Sequence, residues 1–324
     1  MATGQARQHV LLERAEELAA LDAVIADTLA GLGRFAVVEG SAGIGKSSLL
    51  AEARLRATEA GMAVVTARGT EIERSFSYGA VRQLFERLVA QAEDAGRSRL
   101  LAGVAAHAGR LFSAEQLAGP LSVGEDDAFA LVHGLYWLAL NLAEERPLLI
   151  SIDDLQWADE ASVRWVAYLV RRLEGTAVGV LCAVRPIEDE DPVLAELLAD
   201  PATTIVRPSA LSVAAATDLV RQELSADADE EFCVACHRAT GGNPLLLEEL
   251  IRTLAAEQLA PLAGSVDVLE RLAPDAVARS VKLRLARLPA EAAALARAVA
   301  VLGDGADGPH AAALRAPARS KRRL

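Results

Sequence analysis

The stretch Phe35-Ala36-Val37-Val38-Glu39-Gly40-Ser41-Ala42-Gly43-Ile44-Gly45-Lys46-Ser47-Ser48 decides the fold of this chain. Its first four residues form an unbroken apolar run, which is typical of a strand that is buried on both faces of a parallel sheet. The residues after them match the pattern G-x-x-x-x-G-K-[ST], in which glycines turn backbone N–H groups toward phosphate oxygens. A helical pattern follows and would present its positive N-terminal end to the same phosphates. The sequence therefore predicts a P-loop between a strand and a helix.

This loop predicts a nucleotide and a metal ion as ligands. Lys46 would place a full charge between the β- and γ-phosphates, and the Ser47 hydroxyl would be a ligand of Mg2+. We therefore expect the chain to bind ATP together with Mg2+. The residues predicted to contact the nucleotide are Gly40, Ser41, Ala42, Gly43, Ile44, Gly45, Lys46, Ser47 and Ser48.

A later strand pattern, 148–152, ends in two carboxylates, Asp153 and Asp154. A P-loop needs an acidic partner at the tip of a neighbouring strand, where it holds the metal from the side opposite the serine. We predict that Asp153 holds Mg2+ through water and that Asp154 orients or deprotonates the attacking water. Asp159 is the expected N-cap of the next helix, and Trp157 is expected to pack beneath the site.

Arg185 ends a further apolar run, 178–184. The carboxyl ends of parallel strands line the ligand crevice of an α/β sheet, so an arginine at this position could sense the γ-phosphate. A surface salt bridge is the alternative interpretation. The sequence leaves both open.

Strand and helix patterns alternate through the first two thirds of the chain. Buried apolar runs predict about five strands, at 35–38, 62–66, 148–152, 178–184 and 203–206. Apolar residues at helical spacing predict helices at 11–30, 48–60 and 162–173, and a longer helical region at 78–143 with breaks at 118–120 and 123–127. Such alternation implies right-handed crossovers and a doubly wound parallel sheet, so the predicted fold class is an α/β P-loop NTPase.

Three regions are predicted along the chain. Residues 1–208 form the P-loop ATPase domain, and the alanine-rich helical pattern at 209–303 indicates a smaller helical lid domain, winged-helix-like in character. The stretch Gly241-Gly242-Asn243-Pro244 breaks that helical pattern. The basic tail at 304–324 is predicted to have no fixed structure.

Composition limits the function classes. The chain has 324 residues, 52% of them hydrophobic, and a net charge of −12. The size suits two globular units, and the negative charge opposes a broad contact with DNA or anionic membranes. No apolar stretch reaches the ~18 residues of a membrane span, and residues 1–10 lack a signal-peptide pattern. Three cysteines provide no disulfide framework. We expect a cytoplasmic protein with reduced thiols and no membrane contact.

With these residues assembled, the chain resembles the STAND branch of the AAA-type ATPases, and most closely the ATPase region of the large ATP-binding LuxR-family transcriptional regulators. The resemblance extends from about residue 12 to residue 303. The stretches that carry it are 40–48, 76–85, 133–138, 152–159 and 241–245.

The resemblance implies a nucleotide-dependent switch. In such proteins the proline of a Gly-x-Pro turn in the lid packs near the adenine, which would give that role to Pro244, and Arg185 would be the sensor residue. ATP with Mg2+ would clamp the lid onto the sheet domain, and slow hydrolysis or exchange would release it. Self-association or a regulatory protein partner would fit such a switch.

Members of that family continue into superhelical repeats and a DNA-binding helix-turn-helix, and no helix-turn-helix pattern is found in this sequence. The chain would thus be a stand-alone sensor ATPase or a truncated regulator. Direct DNA binding is not expected from this chain alone.

Two other functions compete with a slow ATPase switch linked to transcriptional regulation. A ring-forming AAA+ ATPase of the origin-recognition or clamp-loader kind needs an arginine that reaches a neighbour's γ-phosphate, for which Arg171 and Arg172 are the candidates. A position on the helix surface explains both arginines more simply. A small-molecule kinase would need a basic lid and an acceptor pocket, which the sequence does not show.

Two further motifs receive structural interpretations. Cys233-Val234-Ala235-Cys236-His237 matches the C-x-x-C-H pattern of haem attachment, but it lies in a helical pattern without an export signal, and no second ligand pair suggests zinc. His133 lies in an apolar helical stretch, which favours a packed or capping histidine over a catalytic base.

Overall fold

The computed structural model describes residues 11–113, 125–186, 192–273 and 292–296. The chain divides into two units, Met1–Ser209 and Ala210–Leu324. The predicted tail at 304–324, the loop break at 118–120, the first two residues of the break at 123–127, and most of the helical region beyond 273 lie outside the described residues. The rest of that second break was predicted wrongly, because residues 125–127 are the first turn of a helix.

The first unit contains one parallel sheet of five strands. In chain order these are β1 (Arg34–Glu39), β2 (Ala63–Arg68), β3 (Leu148–Asp153), β4 (Val178–Val184) and β5 (Thr204–Val206). Their order across the sheet is β2-β3-β4-β1-β5, and every neighbouring pair is parallel. Because β3 and β4 are buried along their whole length, their apolar runs are unbroken. The predicted α/β fold with about five parallel strands is confirmed.

Helices connect these strands. The helices of the first unit are α1 (Ala15–Leu29), α2 (Lys46–Glu59), α3 (Gly79–Gln91), α4 (Asp94–Leu100), α5 (Glu125–Glu145), α6 (Glu160–Val170) and α7 (Pro192–Ala199), with 3-10 segments at Glu73–Ser75, Gly103–Phe112 and Leu155–Trp157. The long helical region predicted between the second and third strands is thus divided into several helices. Among the described residues, no helix is both long and apolar enough to cross a membrane.

Apolar layers cover both faces of the sheet. Successive strand residues point to opposite faces, so Val37 belongs to the core under α3, α5 and α6, whereas Val38 belongs to the core under α1 and α2. In the first of these cores, Phe85 and Trp165 pack edge to face with ring centroids 5.6 Å apart. Both neighbours of the P-loop, β1 and α2, are therefore anchored in packed interior.

The second unit is helical where it is described. Its elements are α8 (Val213–Glu223), α9 (Glu230–Thr240), α10 (Pro244–Ala256), a 3-10 segment at Ala263–Ser265, and further helical residues at 266–273.

The turn between α9 and α10 explains the predicted break. Gly241 and Gly242 have φ values of 58° and 70°, which favour glycine. A Cβ atom on Gly242 would lie 2.3 Å from the Leu211 carbonyl oxygen, so no larger residue fits there. Asn243 then caps α10 by accepting from the Leu246 N–H at 3.3 Å.

Candidate nucleotide-binding site

The P-loop joins β1 to α2 at the carboxyl edge of the sheet. Gly43 and Gly45 have φ values of 86° and 104°. These left-handed conformations are open to glycine and let consecutive backbone N–H groups form an anion-binding concavity. The Gly40 N–H donates to the Val184 carbonyl at 3.2 Å, which ties the loop to β4. The loop therefore has a backbone conformation that suits phosphate.

Lys46, the first residue of α2, is almost fully buried, with 6% of its surface exposed. Its Nζ donates to the carbonyl oxygens of Gly40 at 2.7 Å and Ser41 at 3.0 Å. A buried ammonium needs such partners, because removing it from water is costly. The lysine charge is thereby held against the loop.

Ser47 and Asp153 meet at the start of α2. The Ser47 hydroxyl donates to Asp153 Oδ2 at 2.7 Å, although the two residues are 106 positions apart in sequence. Asp153 is 8% exposed, and its Oδ1 accepts from the Asp154 N–H at 3.0 Å. Hydroxyl and carboxylate oxygens are the donors that Mg2+ prefers. The two predicted metal ligands therefore lie together, and their chemistry fits this ion.

Asp154 is held in an unusual conformation beside them. Its backbone is left-handed, with φ 52°, which is uncommon for a residue other than glycine and is found most often at functional sites. Its Oδ1 accepts from Gln156 Nε2 at 3.0 Å. Arg68 Nη2 lies 3.5 Å from Oδ2 and Arg185 Nε lies 3.9 Å from Oδ1. A hydrogen bond from Gln156 thus holds this carboxylate, and two arginines lie near it.

Arg185 follows β4 and stays at the carboxyl edge of the sheet. Its backbone N–H donates to Gln156 Oε1 at 3.2 Å, and its guanidinium carbon lies 5.9 Å from the centroid of the Trp157 ring. Gln156 therefore connects Arg185 with Asp154. The long ion pair between Arg185 and Asp154 agrees with the interpretation of Arg185 as a salt-bridge residue. Its position at the carboxyl edge of the sheet also agrees with a role in sensing the γ-phosphate, so both interpretations stay open. Trp157 contacts the arginine of the site.

Arg14 is a buried residue that the sequence analysis missed. It is 3% exposed, and its Nη2 donates to the Ile44 carbonyl at 3.2 Å and to the Ser209 carbonyl at 2.7 Å. It thereby fastens the P-loop to the last residue of the first unit. The available signal was a cation directly before α1, where the helix dipole disfavours positive charge.

Asp159 caps α6 as predicted, and it also holds the start of α3. Its Oδ1 accepts from the N–H groups of Ser162 at 2.9 Å and Tyr78 at 2.6 Å. Its Oδ2 accepts from the Ser162 hydroxyl at 2.6 Å and the Ala80 N–H at 3.3 Å. Burial and the nearby Asp159 charge raise the pKa of the Tyr78 phenol. The contact with α3 was missed because it spans some eighty residues of sequence.

The remaining candidate residues lie outside the P-loop and the carboxylate pair. Arg171 pairs with Glu196 at 2.5 Å, and Arg172 lies 3.7 Å over the Tyr168 ring. Pro244 belongs to the second unit, where it occupies the first turn of α10, a position that suits proline.

The cysteines of the C-x-x-C-H motif, Cys233 and Cys236, are buried in α9. Within the described residues no group of three His, Cys, Asp or Glu side chains could hold a metal ion. Desolvation raises the pKa of both thiols. The motif is thus part of a helical core.

The chain is similar to known ATPase domains in sequence and in fold. The sequence model of the AAA ATPase domain matches residues 10–182, more than half of the chain. No curated protein matches the sequence.

Solved structures that share the fold include two origin-recognition proteins. The ORC2 protein of Aeropyrum pernix, in ADPNP-ADP complexes, is 16% identical with a TM-score of 0.55, over 94% of this chain and 79% of that one. The Drosophila ORC bound to DNA is 10% identical with a TM-score of 0.53, over 93% and 70%. A STAND protein of Pyrococcus horikoshii with a tetratricopeptide repeat sensor is 17% identical at a TM-score of 0.42; 71% of this chain aligns, spanning 29% of that protein's length.

Proposed function

This chain belongs to the AAA ATPase domain family, and on that basis we propose that it is a regulatory switch that binds ATP with Mg2+ and hydrolyses it slowly. The contact between the Ser47 hydroxyl and the Asp153 carboxylate carries the proposal. It brings the two expected metal ligands together at the start of the helix that follows the P-loop. The ADPNP-ADP complexes of the Aeropyrum pernix ORC2 protein support a nucleotide ligand.

Each residue of the site receives a role. The P-loop N–H groups and Lys46 would bind the phosphates, while Ser47 and Asp153 would hold Mg2+. When bound, the metal would offset the charge of the phosphate oxygens. Asp154 would orient or deprotonate the attacking water, and Arg185 would sense the γ-phosphate. Pro244 would pack near the adenine.

A switch fits the arginines better than a ring-forming ATPase does. Arg171 and Arg172, the candidates for a residue that reaches a neighbouring subunit, are both engaged within their own chain. An arginine that reaches a neighbouring subunit must be free to extend. These contacts therefore favour the interpretation that both arginines simply lie on the helix surface. The origin-recognition proteins that share the fold are only 16% and 10% identical to this chain. Their similarity therefore supports a common fold but not a common assembly.

We further propose that the switch serves transcriptional regulation, as the resemblance to the LuxR-family regulators implies. A lid formed by residues 209–303 would close on ATP, and self-association or a regulatory protein would read the closed state. The proposed compartment is the cytoplasm, where the three buried cysteines Cys182, Cys233 and Cys236 would stay reduced.

Lys46→Ala tests nucleotide binding. The substitution removes a charge that would bind two phosphates, so we expect affinity for a fluorescent ATP analogue with Mg2+ to fall by roughly 100-fold. Arg87→Ala, which also removes a cation but from an exposed position on α3, is the control and should bind normally. Thermal unfolding of both variants establishes that they are folded. Unchanged affinity in folded Lys46→Ala would contradict the proposal.

A further inference from the structure

A cluster of aromatic side chains lies away from the nucleotide site. The chain has only three Trp, three Tyr and six Phe, yet four of these rings surround His133 on α5 and α6. The His133 ring is stacked with Phe129 at 5.9 Å and with Tyr136 at 6.3 Å, and it meets Trp137 and Tyr168 edge to face at 6.3 Å and 6.1 Å. We call these five residues the aromatic cluster.

The hydrogen bonds of the aromatic cluster determine which nitrogen of His133 carries the proton. Trp137 Nε1 can only donate, and it lies 3.2 Å from His133 Nε2, which must therefore accept. The proton of the neutral ring is then on Nδ1, which donates to the Tyr168 hydroxyl oxygen at 2.9 Å. In the part of the chain that is described, no protein acceptor takes the hydroxyl hydrogen of Tyr168. It remains available to a ligand.

Tyr168 and Phe129 line a cavity of about 380 Å³. Its walls come from three elements: residues at the start of α3, which include Tyr78, the α5 face with Phe129 and Val132, and the α6 face with Arg164 and Tyr168. Small-molecule sites in proteins have volumes of about 300–1,000 Å³, with mostly apolar walls and a few convergent polar groups. The cavity matches that description.

The charged side chain that lines this cavity is a cation. Arg164 lines it, and no acidic side chain is among its described lining residues. Arg164 Nη2 bonds Glu160 at 2.5 Å, but both side chains are largely exposed, at 64% and 74%, and such pairs contribute little. A guanidinium carries five N–H donors, so the others can bind a second carboxylate in a bidentate manner.

We propose that this cavity binds a small aromatic carboxylate, with its ring against Phe129 and Tyr168 and its carboxylate between Arg164 and the Tyr168 hydroxyl. Aromatic rings prefer offset or edge-to-face contacts with other rings, and Phe129 offers such a surface because it is 62% exposed. Arg164 and Tyr168 line the same cavity, so one ligand carboxylate could accept from both. The site is separate from the nucleotide site and does not depend on the proposed function.

Calorimetric titration with naphthalene-2-carboxylate, and with its uncharged amide, tests the proposal. We expect the acid to bind saturably with one site per chain, and more tightly than the amide. Arg164→Gln should weaken binding of the acid by about tenfold, the loss of one charge-assisted contact, and leave the amide unchanged. Tyr168→Phe, which keeps the ring, should weaken the acid several-fold.

Arg171→Gln is the matched control. It removes the same charge directly after the end of α6, but Arg171 does not line this cavity, so binding should be unchanged. Thermal unfolding establishes that each variant is folded. Absence of saturable binding to the unaltered protein, or equal weakening by Arg164→Gln and Arg171→Gln, would overturn the proposal. If Lys46→Ala abolishes binding and Arg164→Gln leaves it intact, the compound binds at the nucleotide site. That outcome would also overturn the proposal.

Discussion

Asp154 combines a left-handed backbone with a carboxylate that Arg68, Gln156 and Arg185 surround. The Gln156 hydrogen bond and the two nearby guanidinium groups favour one orientation of the carboxylate, which a residue that positions water needs. Asp153, by contrast, is bonded to Ser47. Adjacent carboxylates with different partners suit different tasks.

Asp154→Asn should therefore separate binding from hydrolysis. We expect the affinity for ATP to change less than about threefold, while the hydrolysis rate falls by roughly 100-fold or more, as is usual when a general base is lost. Nucleotide binding and phosphate release are measured on the same preparation. Glu160→Gln makes the same chemical change on an exposed side chain and should alter neither. If binding and hydrolysis fall together, Asp154 is a metal ligand or a structural residue.

The sequence predicted those site residues whose pattern is local. Lys46 and Ser47 follow from the P-loop motif, and the two aspartates follow from an apolar run that stops abruptly. Gln156 and Arg14 were not predicted, since their partners lie far away in sequence or are backbone carbonyls that leave no pattern. A single sequence gives the chemistry of a side chain but not its long-range neighbour.

At the scale of elements, one carboxylate holds two helices. Asp159 is 3% exposed and accepts from groups on both α3 and α6, so its loss would leave several buried N–H groups unpaired. The start of α3 and the segment between β3 and α6 would then be free to move apart. Asp159 is thus a structural link between two segments that the resemblance treats as separate motifs.

Asp159→Ala should lower the free energy of unfolding by about 3 kcal/mol, because a helix cap and further buried bonds are lost together. Ser212→Ala is the comparison: its hydroxyl accepts from the Ala215 N–H at 3.2 Å as the cap of α8, and its loss should cost about 1 kcal/mol. Urea unfolding followed by circular dichroism measures both. Equal costs for the two variants would show that the α3 contacts of Asp159 contribute nothing.

The molecule as a whole should lose stability at alkaline pH through its buried thiols. Burial raises the pKa of Cys236 from 9.0 to about 12 and also raises that of Cys182. Above pH 9 the unfolded chain loses these protons while the native chain keeps them, so the unfolding free energy falls as pH rises from 9 to 12.

Cys236→Ala isolates this effect. Between pH 8 and pH 10.5 the unaltered protein should lose about 2 kcal/mol more than the variant, which lacks that titrating group. Urea unfolding at both pH values gives the loss of unfolding free energy for each protein. Other groups that titrate in this range are common to both proteins, so their effect cancels when the two losses are subtracted. Identical losses in the two proteins would mean that the Cys236 thiol is accessible to solvent in the native state.

Most of the fold was predictable because both faces of its sheet are covered. The strands β1, β3 and β4 are buried along most or all of their length and give unbroken apolar runs. All five predicted runs are strands. Their order across the sheet, and the division of the region between β2 and β3 into several helices, could not be read in this way. Periodicity shows which face of an element is apolar but not which neighbour covers it.

That order also has a consequence for how the chain is made. The strand before the P-loop, β1, pairs only with β4 and β5 among the described strands, and β4 begins at Val178. During synthesis on the ribosome, which proceeds at about 5–20 residues per second, β1 emerges early and has no partner until most of the first unit has been translated. For many seconds its apolar residues and unpaired backbone groups are open to wrong partners. We therefore expect the nascent chain to need a chaperone at this stage more than at any later one.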